Sequence, residues 1–186
     1  MAALCGALLL GYAGVGYARG ALARDRARSL WEAGEARRAV AAARAVGAGL
    51  AGEPPVRGTP VARLLVPRLG MDEIVVEGVG DEELLAGPGH YPGSALPGAA
   101  GNAVLSAHRD RHFRRLDALA IGDTVLTIAG GRTVTWRVTR RRVIDRDAPA
   151  LFSTSQPRLT LTTCWPVRYF GAAPDRLIVE AEPVAR

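Results

Sequence analysis

Lysine is absent from this 186-residue chain: its 24 basic residues are all arginine, set against 18 acidic ones for a formal charge of +6. A surplus of that size raises the question of a polyanionic partner. The arginines are scattered among acidic residues, however, and aromatics make up only 5% of the chain. No dense basic block interleaved with aromatic rings occurs, so nucleic acid is not an expected partner. Attraction to anionic lipid or wall polymer stays open. Cysteine is nearly as scarce, with only Cys5 and Cys164. That count leaves no disulfide framework, because pairing them would join an N-terminal apolar run to the folded domain. No Cys and His cluster has metal-ligand spacing, which argues against structural zinc.

Long hydrophobic runs are also missing, with one exception. Residues 1–18 carry no charge and are mostly apolar, a length at the lower edge of the roughly 17 to 25 residues that span a bilayer as helix. Three readings stand: an uncleaved signal-anchor, which is the expectation here, a cleaved signal peptide, or a buried helix. The flanking charge runs against an outward-facing domain, since Arg19, Arg24, Arg26 and Arg28 follow the run and no basic residue precedes it. Residues 19–57 are rich in Ala and Arg and read as a polar-faced helical linker, in which Trp31 lies near head groups or covers a core edge. Gly and Pro over residues 47–55 break that helix.

From residue 58 onward the pattern changes period. Short β-type runs occur at residues 61–66, 74–77, 102–106, 124–128, 132–144, 159–163 and 177–181. Gly130-Gly131 marks a hairpin, and Val134, Trp136 and Val138 alternate with polar residues as in a strand with one wet face. Asp81 to Leu85 predicts one helical turn, and Phe113, Leu116 and Leu119 recur at helical spacing. The breaker-rich run 87–93 is left without an element. Many short strands with scraps of helix predict an all-β barrel or sandwich over residues 58–186.

Three residues at the ends of such runs carry the chemistry. Thr160-Leu161-Thr162-Thr163-Cys164-Trp165-Pro166 puts a thiol at a strand end, where scaffolds commonly present reactive groups. Taken alone, Cys164 reads as a small buried apolar residue. Ser106-Ala107-His108-Arg109-Asp110 ends another strand in an imidazole, and Pro174-Asp175-Arg176-Leu177 opens one with a guanidinium. Separately these are a structural histidine and a solvated charge. Together they supply a nucleophile, a proton donor and acceptor, and a fixed cation for an oxyanion, the needs of thiol attack on an amide.

The Thr-Leu-x-Thr-Cys of residues 160–164, the arginine twelve positions later (176 − 164) and the His-Arg-Asp fifty-six positions earlier (164 − 108) resemble the sortase family. The run from Gly87 to Gly98, followed by Gly101-Asn102, resembles its class D branch and Gram-negative-type relatives. The resemblance covers about residues 60–182 and implies an eight-stranded sortase β-barrel with short helices behind an N-terminal membrane-anchor helix. It implies Cys164 as nucleophile, His108 as general acid and base, and Arg176 as the residue that steadies the substrate and the oxyanion. The implied reaction cleaves a C-terminal Leu-Pro-x-Thr-Gly-like sorting signal between Thr and Gly and passes the thioacyl group to an amine, without a cofactor. Implied partners are proteins carrying that signal and an amine acceptor from the envelope, with the enzyme at the cell membrane as a single-pass protein and its catalytic domain outside.

Supporting roles are open at three positions. Asp110 either orients the His108 ring or pairs with Arg109 or Arg111. Thr163 belongs to the substrate cleft or simply suits a strand. Trp165, where relatives often carry Tyr, walls the groove or packs under the strand end. His90 and His112 are read as structural or exposed.

Overall fold

The computed structural model describes residues 2–44, 54–146, 154–169 and 171–184, with side chains of the N-terminal helix described over residues 11–38. Its strands are β1 (Pro60–Val66), β2 (Met71–Glu77), β3 (Gly89–His90), β4 (Asn102–Ser106), β5 (Thr124–Ala129), β6 (Arg132–Asp145), β7 (Arg158–Trp165) and β8 (Asp175–Pro183). Two helices, α1 (Ala2–Arg44) and α2 (Asp81–Ala86), accompany them. The strands close into a barrel in the order β1-β2-β3-β4-β7-β8-β6-β5. The β2/β3 and β4/β7 pairs are parallel and the others antiparallel.

Period-two patterning sets the faces. Ala103, Leu105 and Ala107 near β4, Leu159 and Leu161 on β7, and Leu177, Val179 and Ala181 on β8 all belong to the central core. Their sequence neighbours therefore point outward. On β6, Trp136 and Val138 are fully buried while Arg137 and Thr139 are exposed, the alternation the sequence predicts. The buried indole N–H of Trp136 donates to Thr127 Oγ1 at 2.8 Å, so the largest core side chain leaves no orphan donor. Gly130 and Gly131 join β5 to β6 at φ 56° and 75°. A two-residue hairpin turn with both central residues at positive φ is open to glycine at little cost. Phe113, Leu116 and Leu119 are all buried, but the segment makes only a 3-10 turn at Leu116–Ala118 where the spacing predicts a short helix. The unpredicted strand β3 lies inside the breaker-rich run, two residues long and held between β2 and β4.

Helix α1 does more than lead away from the domain. Gly20, Ala27 and Trp31 are buried along one stripe, spaced by seven and four residues, and Ala27 and Trp31 pack on Ile74 and Val76 of β2. Trp31 thus covers a core edge. Beside that seam Arg28 donates to the Asp72 carbonyl at 3.0 Å, and Arg24 stands 3.8 Å from Glu73. Among the described residues no helix is long and apolar enough to cross a membrane. The expected anchor, residues 1–18, is therefore unsupported; the side chains of residues 1–10 lie outside the description, as does most of the expected linker break at 47–55.

Asp72 also takes a two-pronged hydrogen bond from Arg63 at 2.8 and 2.6 Å. That bond, with the charges of Arg63 and Arg28, holds its carboxyl below the usual range against a desolvation cost. A depressed folded value means the pair's contribution is complete above the ordinary aspartate pKa of about 3.9 and is lost as pH falls through the folded one. Asp72→Asn should therefore lower the thermal midpoint at neutral pH, with the gap from wild type closing in acid. A gap that persists below about pH 2 would show that the ionised carboxylate is not its source.

Candidate active site

The β4/β7 pairing runs in unbroken parallel register from Asn102↔Arg158 to Ser106↔Thr162. It continues past the end of β4, because Ala107 N–H donates to the Thr162 carbonyl at 3.2 Å. The same offset brings His108 level with Cys164. On the other side of β7, Cys164 and Arg176 are direct cross-strand partners. The spacings that look arbitrary along the chain are thus two register relations around one central strand. Inward-facing Ala107, Thr163 and Leu177 neighbour the three residues, which places imidazole, thiol and guanidinium on the outer face at one end of the barrel.

A cavity of about 320 Å³ opens there, lined among others by His108, Cys164, Arg176, Asp110, Arg146 and Asp175. The Cys164 thiol is free and half-buried, so it is neither sealed in the core nor fully in water. Arg176 Nη1 donates toward Sγ at 3.9 Å, while its Nε donates to the Arg146 carbonyl at 3.4 Å. The second bond fixes the plane of the guanidinium and leaves Nη1 facing the sulfur. An anion built at the sulfur's carbonyl partner would meet a permanent cation with directed N–H groups.

The three open positions separate. Thr163 is fully buried and faces the interior, where its Oγ1 donates to the Ala107 carbonyl at 2.7 Å. It locks the residue before His108 to the residue before Cys164 and does not line the cavity. Trp165 is half-buried and packs against the core. Asp110 is exposed and lines the cavity, without a hydrogen bond or ion pair to His108 among the described residues. His90 and His112 are both buried. His90 Nδ1 lies 2.6 Å from Glu77 Oε2, and its Nε2 lies 2.9 Å from both the Ala95 carbonyl and Ser94 Oγ. The ring thereby pins the loop after β3 to β2.

Sequence reasoning missed Arg109. Its guanidinium donates to the Pro166 carbonyl at 3.1 Å and to the Gly171 carbonyl at 2.5 Å, and it lies 5.6 Å from the Tyr169 ring centroid. It staples both ends of the segment leaving β7, whose Gly171, Ala172 and Ala173 wall the cavity. Nothing in the sequence marks it, since its acceptors are backbone carbonyls roughly sixty positions away.

Residues 64–184 match the sortase domain model. The chain belongs to the sortase family, the cysteine transpeptidases of the cell envelope. Among individual relatives, Sortase D of Bacillus subtilis (strain 168) is 33% identical over 132 residues, covering 70% of this chain and 67% of that protein. Sortase C-1 from Actinomyces oris superposes with a TM-score of 0.61 at 28% identity, over 68% of this chain and 75% of that one. The Clostridium perfringens Sortase D5 transpeptidase gives a TM-score of 0.69 over 90% of this chain and 99% of that one; at 19% identity this likeness bears on the fold alone.

Proposed function

We propose that this sortase cleaves a C-terminal sorting signal of the Leu-Pro-x-Thr-Gly kind between Thr and Gly and transfers the acyl group to an amine, with Cys164 as nucleophile. The observation that carries this reading is the Arg176 N–H directed at Cys164 Sγ within a cavity that His108 also lines. The Cys164 thiolate attacks the threonine carbonyl carbon. The electron pair moved onto oxygen is balanced by the Arg176 guanidinium. As the C–N bond breaks, the His108 imidazolium gives its proton to the departing glycine amine, leaving a thioacyl group on sulfur. An acceptor amine then attacks the same carbon and loses its proton to His108, and the C–S bond breaks to restore the thiolate. No cofactor enters the sequence. The acceptor is an amine of an envelope precursor or a protein lysine, and the enzyme works at the cell envelope, outside the cytoplasm.

Incubating the full chain with sorting-signal peptides and a supplied amine, read by mass spectrometry, tests the reading. The expected products are the peptide cut after Thr, its amine conjugate and a thioacyl adduct on Cys164. Cut peptide with no conjugate at any amine concentration would make the protein a hydrolase, and absence of an adduct would remove Cys164 as nucleophile.

A further inference from the structure

His112 is the one histidine that neither the fold nor the proposed chemistry explains. Its side chain is fully buried, and neither ring nitrogen has a hydrogen-bond partner among the described residues. A polar ring buried in that way is costly, and an apolar ring would fill the same space without the penalty. The group that faces it is the Glu73 carboxylate, whose Oε2 lies 3.3 Å from Nδ1. Glu73 in turn faces Arg24 of α1 at 3.8 Å. The carboxylate on β2 therefore stands between the N-terminal helix and the segment that follows His108.

That segment is short and stiff. The Arg111 and Phe113 N–H groups both donate to the His108 carbonyl, at 3.3 and 3.2 Å, and Phe113 is fully buried in the core. A displacement of His112 is thus passed to His108 through a closed turn. The preceding residue makes a second link to the helix: the Arg111 guanidinium lies so close to Gly20 that a Cβ built there would stand 2.5 Å from Nη1. Consecutive residues 111 and 112 therefore both engage α1, one by packing and one through Glu73. The helix itself is fixed to the barrel by Ala27 and Trp31.

We infer that Glu73 is a positioning residue for His108, tying the histidine's turn to α1 through His112 and Arg24 and making the N-terminal helix part of the active-site support. The inference rests on the catalytic reading of His108 only for its effect on turnover. An imidazole that must reach both sulfur and a departing amine tolerates little displacement, and a shift of about 1 Å can cost up to a hundredfold in rate.

The chain has three histidines, so ring-labelled histidine gives an NMR spectrum of three signals, assignable with one Gln substitution at a time. Glu73→Gln in the full chain should move the His112 signal and, with it, that of His108, while His90 stays in place. In the peptide assay kcat should fall about tenfold with KM unchanged. Combining Glu73→Gln with His112→Phe should cost no more than the worse single change, as expected of residues acting in one chain. A His108 signal that stays put when His112 moves overturns the tether, as do kinetic losses that multiply in the double variant. Loss of the thioacyl adduct in the wild type would instead strike the catalytic reading, and the NMR comparison would still decide the tether.

Discussion

Cys164→Ala should abolish turnover, with a loss of at least about a thousandfold and no acyl adduct at any time point. The size follows from the division of labour among one residue just past β4 and one each on β7 and β8. In the proposed mechanism Arg176 balances the oxyanion and His108 protonates the amine released once sulfur has attacked, so without the thiol neither has a transition state to stabilise. The substitution should be nearly silent in stability. The thiol is half-buried on the outer face, outside the core packed by Leu159 and Leu161, so its loss opens no closed cavity. Thermal unfolding should show a midpoint close to wild type beside the dead peptide assay. Residual turnover within tenfold of wild type would require a different nucleophile.

Arg176→Lys should lower kcat by about 10² to 10³, the usual cost of removing one oxyanion donor. Charge is retained in this variant, so the loss isolates geometry. The Arg146 carbonyl holds Nε while Nη1 faces sulfur, and an ammonium has no second arm to be held by. A contact made only in the transition state lowers kcat and kcat/KM together, so KM for the peptide should stay near wild type. A raised KM with unchanged kcat would instead make Arg176 a ground-state peptide contact.

Much of the barrel was legible because strand alternation is a local signal. Val134, Trp136 and Val138 declared their face, and Gly130-Gly131 declared the turn beside them. The candidate site was legible through the motifs at Cys164, His108 and Arg176; one sequence does not show that their spacings are register offsets, because pairing is a property of the closed sheet. Strand β3 was hidden since two residues carry no period, and its extended state comes from its partners on both sides. The docking of α1 was legible only at Trp31, for which a core edge was one of two readings. Its seam is built from Gly20 and Ala27 ahead of Trp31, and small residues in an Ala-rich helix look like composition. Arg109 and His112 depend on contacts with distant carbonyls and a distant carboxylate, which no local pattern encodes.

In the closed ring β7, the strand that carries Cys164, is paired with β4 on one side and with β8 on the other and presents no free edge there. An extended substrate at Cys164 therefore cannot dock by adding a strand to β7, so backbone pairing of the kind that lets edge-binding domains grip almost any sequence is denied to it at that strand. On the proposed reading it lies across the outer face beside β4, β7 and β8, where His108, Cys164 and Arg176 stand, and is read by what projects there. Selectivity for one short signal among many secreted chains then falls to side chains and flanking loops, which can diverge from one branch of the family to the next while the ring beneath them stays the same.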